Sequence, residues 1–552
     1  MADRYWRGGS GTWDTTSTTN WSTTSGGAGG ASVPTSADNV IFDQTGPYTV
    51  TLTGALLCLN FTVTGSSTTF SSTGTINVKG NWSIVSGTVC SNTGAISFTT
   101  TSTQSITTNG VTVSFPITIA AAAAGTVSLN DSLTSTGVLT LTSGTLSLGT
   151  FTFTATQFLS SGTSIRSVAF GTGNLTLTGT GTVYTTGATP STGYTQTGTP
   201  NVYITSTGST AISVVAASNN TVNSPIFFVT GGTYTLTTFA ATTNRIAYID
   251  FTGFSGTWLV STGTSGVLSY GYKLSSTMTV SGSTSLIIGN TLASPAFNST
   301  LQSSGKTIPF PIVFFSNATS SNPVKLIDAL TSTNTVALSN VTTTNGSIDL
   351  NGQTLTCLAF SVSAVTTATR SITFNGGTIV VTATSAIAFN NLATTSLTTS
   401  AGSGNGIISM TNAAAKTFVG GGATYAAALN QGGAGTLTIT GSNTLGDITN
   451  TYGTTGATSI LFTAGTTTTF GNWSANGTAG KLLTIGSVTA ASHTLSKSAG
   501  TVSADYLSIS RSTATGGASW YAGANSTNGG NNTGWIFTSA PLTKFFNFFA
   551  FF

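Results

Sequence analysis

The chain has 552 residues, 14 of them Lys or Arg and 10 acidic, so only 4% are charged, where soluble proteins average about 25%. All ten acids are Asp, and Thr and 67 Gly residues dominate the composition. Helical bundles need abundant Glu, Lys and Leu, nucleic-acid binders need clustered cations, and a Glu acid/base pair is impossible. Because 38% of the residues are hydrophobic, charge-driven disorder is also excluded. The class of protein that these exclusions leave is large, β-rich and nearly uncharged.

The N-terminal sequence and the absence of a long apolar stretch predict a chain made and folded in a cytoplasm. Residues 1–6 lack the apolar core of a secretory signal, and no stretch approaches the ~18 apolar residues of a membrane helix. Cys58, Cys90 and Cys357 are too few and too far apart for a disulfide framework or a metal site. We expect three small buried side chains.

Apolar and small polar residues alternate along almost the whole chain, as in residues 136–148 and 435–439. This period of two predicts strands with one apolar face and one Thr-rich face. A strand-entry pattern that begins with Gly recurs, and we expect each Gly to supply unusual backbone angles at a corner. The pattern begins at Gly74, Gly125, Gly137, Gly144, Gly173, Gly232, Gly346, Gly377 and Gly435. Repeated corners and strands predict a parallel β-solenoid with roughly 20–25 residues per coil.

A longer duplication relates residues 109–180 to residues 304–384. The sequence at 115–119 matches 310–314, and the sequence at 127–136 matches 324–333. The pairs Asp131 and Asp328, and Arg166 and Arg370, are equivalent in this duplication. Matching order and local identity together indicate two similar solenoid segments, with short loop insertions between the landmarks.

The predicted fold is all-β: a parallel β-helix or β-solenoid with Trp-rich caps at both ends, with tandem β-sandwich domains as the alternative. Seven segments are predicted in chain order. They are an N-terminal Trp/Gly-rich cap or attachment segment (1–45), a first solenoid segment (46–190), a less regular β region (191–300), a second solenoid segment (301–400), a partial third segment (401–504), a C-terminal cap (505–540) and a Phe-rich tail (541–552).

Residues that carry catalytic chemistry elsewhere are expected to be structural in this chain. A Ser-His-Asp triad would need the single histidine, His493, with Asp505 as the nearest acid, but no nucleophile elbow accompanies them. Asp131 and Asp328 are predicted to bond backbone N–H groups at corners, although a carboxylate pair of a glycosidase is the competing interpretation. Arg166 and Arg370 are expected to pair with those acids or to bond carbonyls. No catalytic residue, cofactor or metal is predicted.

Two groups of aromatic residues are candidate contacts with other molecules. Tyr184, Tyr194, Tyr203 and Tyr234 cluster in the least repetitive region, where such rings can stack on carbohydrate, or else pack between coil loops. The tail carries six phenylalanines that would promote aggregation if left in water. We therefore expect contact with a partner chain through Phe545, Phe546, Phe548, Phe549, Phe551 and Phe552.

Two end motifs carry a family resemblance. They comprise residues 4–14, 19–22, 25–30 and 34–43 near the start, and 505–517 and 531–537 near the end. Together they resemble the large Thr/Ser/Gly-rich β-helical virion proteins of tailed bacteriophages, especially phages of aquatic bacteria and cyanobacteria. The resemblance implies a non-enzymatic particle component such as a fibre, spike or surface decoration, and it supplies no catalytic residues. The Phe-rich tail departs from the family pattern.

Three functions follow from these observations. The first is a phage structural protein located on the virion, homo-oligomeric with a trimer favoured, bound to other virion proteins and in contact with host surface polysaccharide. The second is a bacterial surface adhesin or filament subunit, and the third is a polysaccharide-degrading tailspike. Neither nucleic-acid binding nor a membrane span is expected.

Overall fold

The computed structural model describes residues 1–7, 9–186, 193–214, 225–233, 235–240, 245–260, 267–290, 299–316, 322–339, 345–363, 368–383, 388–393 and 396–541. The chain forms two compact units, Met1–Leu286 and Ile287–Phe552. Apart from one 3₁₀ turn at Tyr452–Thr454, all regular elements of the described residues are strands. The strand Leu286–Asn290 begins at the last residue of the first unit.

The first unit is a parallel β-solenoid with three faces. Face 1 contains Asp3–Trp6, Trp21–Ser22, Asn39–Phe42, Phe61–Val63, Trp82–Ser83, Thr103–Thr107, Thr126–Leu129, Arg166–Ala169 and Tyr194–Thr197. Face 2 contains Gly11–Trp13, Tyr48–Leu52, Thr68–Ser72, Val89–Cys90, Thr112–Val113, Leu133–Ser135, Thr152–Ala155, Asn174–Leu177, Asn201–Ile204, Ile226–Val229, Tyr248–Asp250 and Gly271–Lys273. Face 3 contains Ala55–Cys58, Thr75–Val78, Ile96–Phe98, Ile117–Ala120, Leu139–Ser147, Phe158–Leu159, Gly181–Thr185, Thr210–Val214, Thr235–Ala240, Thr257–Val260 and Thr279–Gly282. Leu139–Ser147 turns the corner and also pairs within face 1, and Arg245–Ile246 pairs with Val267–Ser269.

The second unit is also a parallel β-solenoid. One sheet contains Thr300–Gln302, Val324–Leu326, Gly346–Asp349, Arg370–Thr373 and Leu397–Ser400. A second contains Thr307–Ile308, Leu330–Ser332, Thr354–Cys357, Thr378–Val381, Gly406–Met410, Thr424–Tyr425, Ala427–Gln431, Thr444–Asn450, Thr467–Ser474, His493–Ser496 and Ser512–Thr515. A third contains Ile312–Ser316, Val336–Leu338, Phe360–Val362, Phe389–Asn391, Lys416–Val419, Leu437–Thr440, Thr458–Phe462, Leu483–Ser487, Leu507–Ile509 and Thr527–Asn528. A small sheet contains Thr501–Ser503, Ser519–Tyr521 and Trp535–Ile536.

Parallel register confirms the solenoid and excludes the tandem sandwich. On face 1, Val40 pairs with Phe61, Phe61 with Trp82, and Trp82 with Ile106, so successive coils are 21, 21 and 24 residues long. All four side chains point inward and are buried. Because each inward residue stacks on its equivalent in the next coil, as the rings of Phe61 and Trp82 do at 3.9 Å, the core is continuous within the unit.

Outward positions on the faces form columns of hydroxyl side chains, as the alternation predicts. On face 1, the column runs through Thr103, Thr126, Thr145, Ser167 and Thr195. Thr is β-branched and suits a strand, while its hydroxyl remains in contact with water. The solenoid therefore keeps these outer faces hydrated without charged side chains.

The recurrent glycines act mainly through close packing, and the prediction of unusual backbone angles is wrong for most of them. Of the nine strand-entry glycines, only Gly144 and Gly232 have positive φ. A Cβ on Gly435 would lie 1.9 Å from the Ala414 carbonyl oxygen, and one on Gly137 would lie 2.5 Å from the Pro116 nitrogen. These corners need glycine because the preceding coil passes too close for a side chain.

Tryptophan clusters cap the solenoid core, as predicted. Trp6, Trp13 and Trp21 are buried, and the ring of Trp21 makes edge contacts with the other two at 5.2 and 5.3 Å. The strand Trp21–Ser22 pairs antiparallel with Asp3–Trp6. It therefore ends the parallel repeat and covers the edge of the first coil. In the second unit, Trp520 and Trp535 make an edge contact at 5.0 Å.

Candidate functional site

The duplicated aspartates bond backbone amides at equivalent corners, as predicted. Asp131 accepts hydrogen bonds from the backbone N–H groups of Thr108, at 2.9 Å, and Asn109 in the preceding coil. Asp328 accepts the N–H groups of Ser303 and Ser304, each at 2.6 Å. Asn109 and Ser304 have φ of 50°, and each precedes a glycine with positive φ. Each carboxylate therefore fixes a left-handed turn of the coil next to it.

The duplicated arginines bond carbonyl and hydroxyl oxygens in the interior, and the structure records no ion pair to Asp131 or Asp328. Arg166 is fully buried and donates to the carbonyls of Gly162 and Ser164 and to the hydroxyl of Ser160. Arg370, also buried, donates to the carbonyl of Thr369. Burial lowers the pKa of both guanidinium groups. The Arg166 guanidinium thereby holds residues 160–164 against the core.

Sequence reasoning missed a third interior cation. Lys416 also begins a strand, is buried, and donates to the carbonyls of Asn412 at 2.9 Å and Gly435 at 2.7 Å. Burial lowers the pKa of its amine to about 8. A basic residue at the first position of an apolar strand, as at Arg166 and Arg370, is the sequence signal that would have found it.

His493 lies in the core and forms no triad with Asp505. Its Nδ1 is 2.9 Å from the Ser487 hydroxyl, and its ring stacks on Phe462 at 4.6 Å. Its Nε2 is buried and has no hydrogen-bond partner among the described residues. Asp505 instead accepts N–H groups from Tyr506 and Asn525. Because burial lowers the histidine pKa to about 4, this Ser–His pair has neither substrate access nor a competent base.

The three cysteines are free and buried, as predicted. Burial raises the pKa of the Cys90 thiol to about 12, and that of Cys58 and Cys357 higher still. Within the described ranges, no three His, Cys, Asp or Glu side chains lie close enough together to hold a metal ion.

Two of the four candidate tyrosines are interior, so the prediction that they contact carbohydrate at the surface is wrong. Tyr184 and Tyr194 are 0% and 4% exposed, and burial raises the pKa of both phenols. Their positions on Gly181–Thr185 and Tyr194–Thr197 point into the solenoid, where the Arg166 guanidinium lies 5.7 Å from the Tyr194 ring centroid. Tyr234 and the six tail phenylalanines lie outside the described residues.

Tyr203 lies on the outside of face 2, in a column of residues paired between successive coils. From the first coils onward the column contains Thr49, Thr69, Val89, Thr112, Thr134, Thr154 and Thr176. It then continues through Tyr203, Phe228, Asp250 and Lys273. Five of the six column positions from Thr69 to Thr176 are threonine. None of the four positions that follow Thr176 is threonine. We call these last four residues, with their neighbours described next, the face 2 patch.

Aromatic rings, amides and one ion pair lie side by side in the face 2 patch. The half-buried rings of Tyr203 and Phe228 stack with centroids 4.8 Å apart and an interplanar angle of 16°. Lys273 Nζ lies 3.5 Å from Asp250 Oδ2, the only ion pair among the described residues. A parallel outward column adds Asn174, Asn201, Ile226 and Tyr248 to the patch.

Of the face 2 patch, sequence reasoning found only Tyr203. The other three residues of its column become visible when the strands are aligned on their buried residues Val202, Phe227, Ile249 and Tyr272, because each column residue directly follows one of these. The coil spacing is irregular in this region, which hid the alignment.

A shallow groove of about 520 Å³ lies elsewhere on face 2, lined by residues 86–91, 109–112 and Ser114. Its walls carry hydroxyl and amide groups beside Val89, which is half exposed. The strands Val89–Cys90 and Thr112–Val113 have only two residues each, so the sheet is narrow here and leaves room for the depression.

Comparison with protein families, with curated proteins and with solved structures returned no match. In the part of the chain that the structure describes, no helix has the length and apolar character needed to cross a membrane.

Proposed function

We propose that this protein is a non-enzymatic structural component of a bacteriophage particle: a fibre, a spike or a surface decoration. The observation that carries the proposal is the pairing of a capped parallel solenoid with outer columns of threonine and serine. Such a surface stays hydrated without depending on charge, which suits a protein that must remain folded outside the cell. The resemblance of the end motifs to β-helical virion proteins supports the same role.

The contacts of the charged residues also support a structural role for this protein. Asp131 and Asp328 bond backbone amides, and Arg166, Arg370 and Lys416 bond interior oxygens. These groups are engaged in holding coils and loops together. Lys and Arg are also the residues at which trypsin-like enzymes cut, and Arg166, Arg370 and Lys416 are buried out of their reach.

Mass spectrometry of purified particles of the encoding phage tests the proposal. We expect peptides of this chain to co-sediment with the major capsid protein through a density gradient. Their absence from particles that contain the capsid protein would overturn it. Recovery of the chain in the outer membrane or surface fraction of uninfected bacteria would instead favour the adhesin or filament subunit.

The alternative function, a polysaccharide-degrading tailspike, is tested by an assay for polysaccharide cleavage. Purified protein would release reducing ends from host capsule, and Asp131→Asn and Asp328→Asn would abolish the release while the fold persists. We expect no release from the wild-type protein, because both carboxylates are engaged by backbone amides.

A further inference from the structure

The face 2 patch departs from the pattern that governs the rest of its column. Threonine is sufficient at an outward position whose only role is to keep the sheet hydrated, and Thr134, Thr154 and Thr176 occupy such positions in this column. Instead, Tyr203 and Phe228 place two large rings at outward positions and leave them partly exposed. Exposed apolar surface beside polar groups is typical of a binding site.

The polar groups of the patch offer hydrogen bonds of both kinds. Asn174 and Asn201 each provide an amide donor and an acceptor, and they lie 3.4 Å apart (Asn201 Nδ2 to Asn174 Oδ1). Asp250 accepts and Lys273 donates, and the pair is neutral overall. The ligand that matches this set carries many hydroxyls, has apolar C–H faces and has no net charge.

We propose that the face 2 patch binds a neutral oligosaccharide. The electron-rich faces of aromatic rings attract the weakly positive C–H groups of a sugar ring, and a few placed polar groups fix its orientation. Coils repeat about every 4.8 Å along the solenoid. From Asn174 to Lys273 the patch therefore extends about 19 Å, long enough for a chain of sugars. This inference rests on the proposed function, because a particle protein meets the glycans of its host.

A second copy of this chain fits the patch less well. A stable protein interface needs about 800 Å² from each partner, and a large aromatic side chain contributes roughly 150–250 Å² only when it is wholly exposed beforehand. The patch contains three aromatic residues, each already half-buried, and so offers too little area. The neutral ion pair also gives an oppositely charged protein surface nothing to recognise.

Calorimetric titration of the full-length chain tests the inference, using maltohexaose, cellohexaose, chitohexaose and mannohexaose as probes. We expect at least one of them to bind. Tyr203→Thr and Phe228→Thr should each weaken that binding about tenfold or more. Both substitutions restore the residue type of the column, so the fold should persist, which circular dichroism and the melting temperature check. Tyr521→Ala, at a half-buried tyrosine of the second unit, is the matched control and should bind as the wild type does.

Three outcomes would overturn the inference. They are failure of all four probes to bind, unchanged binding in both threonine variants, or light scattering that shows a dimer dissociated by Tyr203→Thr. Absence of the chain from phage particles would defeat the proposed function and leave the oligosaccharide binding intact, so the two failures can be told apart.

Discussion

Buried polar side chains at strand starts are the clearest residue-level feature of this protein. Arg166, Arg370, Lys416 and His493 each occupy the first position of a strand and are almost completely inaccessible to solvent. A corner leaves carbonyl and hydroxyl oxygens inside the coil, and each of these buried side chains hydrogen-bonds at least one such oxygen.

His493 should make stability depend on pH. Its pKa is about 4 in the folded chain, against 6.5 for a histidine in water. The unfolded chain therefore binds a proton first as the pH falls. The stability that the neutral His493 ring contributes is fully present above pH 6.5 and is lost as the pH falls towards 4. The free energy of unfolding should therefore be lower by about 2–3 kcal/mol at pH 4.5. The unfolding midpoint in urea should fall more between pH 7 and 4.5 in the wild type than in His493→Leu. Equal falls in both proteins would contradict this, since the chain has one histidine.

Gly435→Ala should destabilise the second unit. The added Cβ would lie 1.9 and 2.0 Å from backbone atoms of Ala414, so the coils must separate, at a cost of about 1–3 kcal/mol. Gly486→Ala is the control, because its nearest neighbours lie at 3.4 Å and it should be nearly neutral. Differential scanning calorimetry compares the two variants, and equal melting temperatures would refute the close-approach explanation.

At the level of elements, an asparagine ladder joins the first strands of face 1. Asp3 accepts from the amide of Asn39, Asn39 accepts from Asn60, and Asn60 accepts the backbone N–H of Asn81. Asn81 in turn accepts the N–H of Ser105 at 2.9 Å. Each amide thus ties the corner of one coil to the next, which keeps the strands in register at the place where the chain changes direction.

Asn60→Ala should loosen these coils, because it removes bonds of 2.8 and 2.7 Å on two sides. Leaving polar partners unsatisfied costs about 1–3 kcal/mol. Hydrogen exchange should accelerate at the amides of strands Asn39–Phe42 and Phe61–Val63. Asn130→Ala, which removes one side-chain bond of an exposed residue, should leave exchange there unchanged. Unaltered exchange in Asn60→Ala would show that the ladder contributes little to register.

At the scale of the whole molecule, ion pairs contribute little to stability among the described residues. One ion pair is present among the described residues, and the net charge is +4 over 552 residues. The melting temperature should therefore change by less than roughly 2 °C between 0.05 and 1 M NaCl, since an exposed pair is worth about 0–1 kcal/mol. A larger shift would contradict the small contribution of ion pairs.

Much of the fold was predictable from the sequence because its signals are local. Alternation predicts the strands, the Trp clusters predict the caps, and the equivalence of Asp131 and Asp328 predicts two matching corners. The candidate site was less predictable. Tyr184, Tyr194 and Tyr203 look alike in sequence, yet the first two point inward and the third outward, and the irregular coils near them hide which residues face the solvent.

The amino-acid sequence alone determined that this protein is a charge-poor solenoid with hydroxyl-covered faces, because a period of two and the scarcity of charge leave few other ways to bury its apolar residues. Only the tertiary structure decided which side chains meet between coils. Stacking brought Tyr203, Phe228, Asp250 and Lys273 into one column across about 70 residues, because coil-to-coil register depends on how each corner packs against the one before it.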